Sequence, residues 1–520
     1  MAVRGDVTPQ KKRKARIKEG KMIRKNTWTT YNQKQEKEAF SFAEGYKKFL
    51  DQGKTERECV DQLVNMAEKE GFVELSSLLE KKKKVKKGDK IYSVWMNKSI
   101  VLFHIGEEPM EKGMNILGAH IDSPRLDVKQ NPLYEEGGFA YLDTHYYGGI
   151  KKYQYVAMPL ALHGVVVKKD GSTVQLTVGE DEDDPVFFFS DLLIHLAQEQ
   201  MTKKATEVIE GEMLDLIIGN KPLVIEKEEK EEKEEKDDDK LTKGQRYAFQ
   251  EEKEEKACQS KINGAVKRGI LAILKDQYGF EEEDFISAEL EIVPAGPARD
   301  AGFDRSLILA YGQDDRVCAY PSAKAVFDTK DINRTACSIL VDKEEIGSVG
   351  ATGMRSHFFE NAVAEVMELM GDYSELKLRR CLANSCMLSS DVSSSYDPQF
   401  ASAFEKKNVA YVGSGMVFNK FTGTHGKSGS NDANAEYLAH LRAIFEKEKV
   451  NFQTAELGRV DLGGGGTIAY ILALYGMNVI DSGVPVLSMH APYEATSKAD
   501  LYEAYRGYIA FLKHASLRNE

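Results

Sequence analysis

Apolar residues along the chain follow two spacings, and the places where one gives way to the other mark its elements. Phe40 to Leu50 and Thr55 to Glu68 carry them at helical spacing, the second with Val60, Leu63, Val64 and Ala67 on one face. Thr55 and Glu58 form the sequence pattern of a capping box that opens this second helix. Shorter unbroken apolar runs follow: Ser99 to Ile105, Met114 to Ala119, Leu307 to Ala310, Cys337 to Val341, Cys386 to Leu388 and Val484 to Met489. Each has the length of a strand and is too short for a buried helix, and most are separated by helical or loop segments. The alternation predicts an α/β fold, a mostly parallel sheet flanked by helices.

Between Leu126 and Phe303 the texture changes. A Gly- and Tyr-rich stretch, Gly137 to Tyr153, precedes the β-prone runs Val165 to Val167 and Val174 to Val178. This predicts a β-rich domain over 126–303 inserted into a catalytic domain made of 1–125 and 304–520. Inside the insertion, residues 226–240 hold ten acids and five lysines with no apolar residue, and a second charged run ends at Lys256. Such a stretch has no face to bury and is expected to be solvated.

Composition narrows the class. With 520 residues, 42% of them apolar, the chain can build a large core without disulfide or metal staples. Its net charge of −12 argues against a nucleic-acid partner, although residues 11–25 hold nine Lys or Arg. That basic arm reads better as an oligomer contact or a frayed terminus. The longest mostly apolar stretch, Gly466 to Ile480, falls short of the ~20 residues of a membrane span. No apolar core follows the basic arm, so no secretory leader is expected. Six cysteines without regular spacing read as reduced thiols, and the expected location is cytoplasmic, with no membrane partner.

The candidate chemistry lies at the ends of the apolar runs. Five segments place an imidazole or carboxylate at or just past such an end: NILGAHIDSP with His120 and Asp122, ILAYGQDDR with Asp314 and Asp315, SILVDKEEIGS with Glu344 and Glu345, CMLSSDVSSS with Asp391, and VPVLSMHAPYE with His490 and Glu494. In open α/β sheets ligands bind outside the carboxyl ends of strands, so these distant residues can converge. Two imidazoles with several carboxylates suit a zinc-type site. Read alone, a histidine there is usually structural and an aspartate usually caps a helix. Asp122, two residues beyond His120 in extended chain, can take the outer imidazole N–H and fix the ring. Glu344 and Glu345 cannot easily share one ion, which suggests that one ligates while the other moves a proton. Gly463 to Gly466, before Thr467, read either as a backbone approach to a substrate main chain or as a tight helix-start turn.

The motifs GAHIDSPRL, YGGI, GQDDR, DKEEIGS, SSDVS, GGGGTIA and LSMHAPYE, in this order, resemble the aspartyl aminopeptidase family of dinuclear zinc exopeptidases. The resemblance covers the chain from the helices near Phe40 to the C-terminus. It implies that His120 and Asp391 bind one metal ion, that Glu345 and His490 bind the other, that Asp314 rather than Asp315 bridges both, and that Glu344 is the general base. The cofactor it implies is a pair of divalent ions per subunit, zinc or, as substitutes, cobalt or manganese. It further implies peptide substrates, dimers built through the insertion, and a dodecamer. His195, in the apolar segment DLLIHLAQ read as a helix, answers to a family histidine that reaches a neighbouring subunit's site, and Gly464 falls in the glycine-rich loop expected at the substrate. Acidic-specific members carry histidines where this chain has Ser394 and Ser395, so the resemblance leaves the preferred N-terminal residue, acidic, neutral or basic, open. The expected function is a metallo-aminopeptidase; a dinuclear deacylase of N-acyl amino acids and a non-catalytic scaffold of the same fold are the alternatives.

Overall fold

The computed structural model describes residues 25–223, 264–423 and 425–516. Nearly all of the basic arm, the charged run 226–256 and Cys258 lie outside the described residues. The first helix, Gln33–Gln52, starts earlier than the apolar spacing suggests because Asn32 caps it, with Gln35 closing the box. The second, Glu56–Lys69, opens on the Thr55 and Glu58 capping box read from the sequence.

A nine-stranded sheet runs through the middle of the fold. In spatial order its strands are Val73–Glu74, Lys90–Trp95, Ser99–His104, Ala336–Val341, Asn115–His120, Cys386–Ser390, Asn478–Gly483, Met416–Asn419 and Phe452–Ala455. The four strands 336–341, 115–120, 386–390 and 478–483 are mutually parallel. Their residues are buried on both faces, which is why they read as continuous apolar runs. Alternate side chains feed two cores. Ile100, Leu102, Leu117 and Leu340 pack with the helices 33–52, 56–69, 313–328 and 498–514; Val101, Phe103, Ile116 and Ile339 pack with 358–369, 375–383 and 469–473.

Two of the expected strands sit elsewhere. Leu307–Ala310 and Pro485–Leu487 belong to a separate five-stranded sheet with Arg299–Ala301, Glu494–Ser497 and Ser393–Ser394, in which only the 393–394 and 485–487 pair is parallel. The run at 307–310 alternates buried and more exposed positions, the pattern of a one-sided antiparallel strand rather than of a strand inside a parallel sheet.

The segment between the two halves of the large sheet forms a six-stranded antiparallel sheet. It is ordered Thr173–Val178, Leu160–Val167, Ala288–Pro294, Arg125–Glu136, Phe139–Tyr147 and Leu216–Gly219, around its own core of Leu126, Leu142, Leu162, Leu176, Phe189 and Leu290. The 191–199 stretch is a series of turns, not the expected helix. Residues 191–196 are all exposed, so a helix there has no packed face to stabilise it, and the Asp191 side chain caps the Leu192 amide instead. No helix among the described residues is long and apolar enough to cross a membrane. The five cysteines among them, Cys59, Cys318, Cys337, Cys381 and Cys386, are free and buried.

Candidate metal centre

Three neighbouring parallel strands deliver their next residues to one edge of the large sheet. His120 ends the 115–120 strand and pairs in register with Val341, beyond which Glu344 and Glu345 begin a short 3-10 turn. Asp391 follows the 386–390 strand on the other side, its amide donating to the Ser482 carbonyl at 3.1 Å. The five-stranded sheet supplies the remaining groups. Asp314 lies just past the 307–310 strand, at the start of the helix Gln313–Asp328, and His490 lies in the turn between strands 485–487 and 494–497. The Asp314–Asp315 peptide is cis.

Asp314 stands between the two imidazoles. Its Oδ1 is 3.3 Å from His120 Nε2 and its Oδ2 is 3.2 Å from His490 Nε2. Glu345 Oε1 lies 3.6 Å from His490 Nε2, and Glu344 Oε2 lies 3.9 Å from His120 Nε2. Asp315 points away from this cleft: it is fully buried and its Oδ2 accepts from the His120 amide at 3.3 Å.

Each ring is turned by what holds its other nitrogen. His120 Nδ1 faces the Asp122 main-chain carbonyl at 3.0 Å, with the Asp122 carboxylate slightly farther at 3.3 Å. The expected bond to the carboxylate is thus shared with the backbone. His490 Nδ1 faces the Gly149 carbonyl at 2.9 Å. With both Nδ1 atoms donating to carbonyls, both Nε2 atoms point toward Asp314, the position where a cation would replace the Nε2 proton. Glu494, present in the sequence motif but without an assigned role, clamps the second edge: its carboxylate accepts from the Asp314 amide at 2.9 Å and from the His490 amide at 2.7 Å.

Charge in the cleft is unbalanced. Burial, the nearby Asp122 and Asp314, and only partial relief from His120 hold Glu344 at a pKa of about 7. Burial and Asp314 raise Glu345 well above the carboxylate range, and burial with Glu344 and Asp314 does the same to Asp391. Burial opposes protonation of the imidazoles, yet Asp122 and Asp314 raise His120 well above the usual range, and Asp314 with Glu345 raises His490 to about 10. Asp314 Oδ1 and Glu345 Oε1 are buried without a hydrogen-bond partner. Orphaned carboxylate oxygens facing open imidazole nitrogens fit divalent cations. Two groups of ligand atoms, each within 4.8 Å of one another, have the right composition: His120, Asp314 and Asp391, and Asp314, Glu345 and His490.

The cleft continues into a cavity of about 650 Å³ lined by Val392, Ser394, Phe404, Leu457, Met489 and residues 463–467. Gly464 sits in its wall at φ 109°, where a Cβ would come within 2.7 Å of the Gly423 carbonyl oxygen, so only glycine fits. His195 is not brought here. It is exposed and lines a different cavity with Asp191, Leu196, Gln200 and Met213.

The profile of the Aminopeptidase I zinc metalloprotease family (M18) matches residues 49–512. A probable M18 family aminopeptidase 1 from Clostridium acetobutylicum is 56% identical over 490 residues, 94% of this chain and 98% of that one. The crystal structure of aminopeptidase I from C. acetobutylicum superposes with a TM-score of 0.79 at 53% identity, covering 94% of this chain and 99% of the other. That of an M18 aminopeptidase from Thermotoga maritima gives 0.83 at 38% identity, covering 95% and 100%.

Proposed function

Since the chain belongs to the M18 family of aminopeptidase I zinc metalloproteases, and is therefore a peptide-bond hydrolase acting at N-termini, we propose how its own residues carry out that reaction. His120 and Asp391 would hold one divalent ion and Glu345 and His490 a second, with Asp314 available to both; zinc is the ion in the first instance, cobalt or manganese the substitutes. The observation that carries this reading is the pair of three-residue groups meeting at Asp314. When bound, such ions polarise the scissile carbonyl and acidify a water molecule.

The remaining work belongs to the protein. Glu344, beside His120 but in neither group, takes a proton from the attacking water and returns it to the departing amine. Asp122 holds the His120 ring, and Glu494 holds the backbone of Asp314 and His490. The peptide lies in the cavity beside Gly464, whose loop lets substrate backbone come close.

We assign the 126–303 insertion to self-association, through dimers toward a dodecamer. Leu192, Leu193, Ile194 and Leu196 are exposed together with His195, a surface suited to a second copy of the chain. A Saccharomyces cerevisiae aminopeptidase sharing this fold at 19% identity was solved as a dodecamer. A cytoplasmic location fits a chain whose cysteines show no disulfide spacing.

Metal analysis of the purified chain with rates on aminoacyl amides and their N-acetyl counterparts tests the reading. Two ions per chain and hydrolysis of the free-amine substrates are expected. Turnover of the acetylated series alone would replace the aminopeptidase by a deacylase, and a single ion would end the shared-Asp314 scheme.

A further inference from the structure

The Phe139–Tyr147 strand of the inserted sheet runs into Gly148 and Gly149, and all three residues approach the candidate metal centre. The Tyr147 hydroxyl donates to Asp122 Oδ2 at 2.8 Å in a buried setting. That carboxylate carries more than the His120 contact: the Glu344 amide donates to its Oδ1 and the Glu345 amide to its Oδ2, both at 3.2 Å. One carboxylate thus fixes a ligand ring and the start of the turn that presents both glutamates. Gly148, at φ 74°, passes so close to Glu345 that a Cβ would lie 3.3 Å from its Cβ and from its Oε2. The Gly149 carbonyl turns the His490 ring.

Tyr147 is itself held. Arg125, its register partner across the sheet, lies over its ring at 4.0 Å and is anchored by Glu291 at 3.0 Å and Glu56 at 3.5 Å. The adjacent Tyr146 is half-exposed and has no such contacts with the cleft, so the arrangement is particular to one face of the strand.

Building on the dinuclear reading above, we propose that the Tyr147 to Gly149 bend of the inserted sheet is a positioning element for both halves of the metal centre, Tyr147 acting through Asp122 and Gly149 through His490. The insertion then serves the chemistry of its own subunit in addition to any assembly. Partners that orient metal ligands typically contribute about 10- to 100-fold in metal affinity or activity.

The test uses the full chain as Tyr147→Phe, Gly148→Ala and, as a control, Tyr146→Phe. Zinc affinity of the metal-free protein is measured by chelator competition, and the visible spectrum of the cobalt-loaded protein reports ligand geometry. Tyr147→Phe is expected to weaken zinc binding about 10- to 100-fold and to alter the cobalt spectrum, with the melting curve of the metal-free protein nearly unchanged. Gly148→Ala is expected to weaken the ion at His490, and Tyr146→Phe to behave as wild type. Unchanged affinity and spectrum in Tyr147→Phe would overturn the proposal, as would a loss that merely tracks the unfolded fraction. A His120→Ala chain that binds two ions as tightly as wild type would instead sink the dinuclear reading beneath it.

Discussion

Two buried clusters of charge sit on either side of Arg125 and Tyr147, and they are built on opposite terms. On one side the helices near the N-terminus meet the inserted sheet through paired groups. Lys54 bonds Glu180 at 2.6 Å and the Pro294 and Gly296 carbonyls; Lys98 faces Glu56 at 3.1 Å; Arg125 faces Glu291 and Glu56; His163 lies between Glu58 at 2.8 Å and Glu180 at 3.0 Å. On the other side, the candidate metal cleft gathers Asp122, Asp314, Glu344, Glu345, Asp391 and Glu494 against two imidazoles. Burial is costly for an unpaired charge; in the first cluster the cations Lys54, Lys98 and Arg125 meet the glutamates, although burial and Glu56 still raise the Glu291 pKa, whereas the second holds carboxylates with only two imidazoles against them.

This contrast can be broken by substitution, with the cleft answering in rate and the first cluster in stability. The largest effect is expected from Glu344→Gln, which keeps shape and removes the proton acceptor: turnover should fall about 10²- to 10⁴-fold with metal content intact. Near-normal kinetics, or metal loss matching that of Glu345→Ala, would reverse the roles given to the two glutamates. Arg125→Leu comes next. Removing one partner of a buried ion cluster costs about 3 to 5 kcal/mol, so denaturant unfolding should show a large drop, visible even in metal-free protein.

His163 offers a smaller and pH-dependent effect. Burial alone lowers its pKa, but the bonds to Glu180 and Glu58 outweigh that and raise it. A histidine whose folded pKa exceeds its unfolded value contributes fully below the unfolded value, near 6.5, and loses that contribution as pH rises through the folded value. The stability gap between wild type and His163→Gln should therefore be about 2 kcal/mol at pH 5 to 6 and shrink toward alkaline pH. A gap that grows with pH would mean the ring is held neutral. The smallest effect is expected from deleting residues 227–240: unfolding midpoint, peptide hydrolysis and the size seen by light scattering should all stay close to wild type, since a stretch with no apolar residue has nothing to bury.

The residues proposed as ligands were legible in the sequence as one cluster because each follows an apolar run whose end is visible in the pattern. His120, Glu344, Glu345 and Asp391 need only one rule, that parallel strands release their next residues at a common edge. Asp314 and His490 obey a different geometry, because their strands form a second sheet. Their apolar runs look alike, and only the partial exposure at Leu309 separates a one-sided strand from a fully buried one. Tyr147 and Glu494 escaped assignment for another reason. Each acts through a contact with the backbone or carboxylate of a residue far away in sequence, and no local spacing encodes such a pairing. The helix expected around His195 is absent because DLLIHLAQ has the composition of a packed helix, whereas the chain gives that segment no face to pack on.

The gathering of groups from position 120 to position 490 has a consequence for the chain's biogenesis. Glu494, which fixes the backbone of both Asp314 and His490, lies on a strand whose register partner is Ala310, and the C-terminal helix Lys498–His514 follows directly. Contacts of such sequence separation carry a loop-closure cost that slows folding. A chain cut short or still being synthesised before His490 would, on the scheme proposed above, hold the first set of ligands and lack the second. On the ligand scheme proposed above, peptide hydrolysis would then await the segment that carries His490 and Glu494.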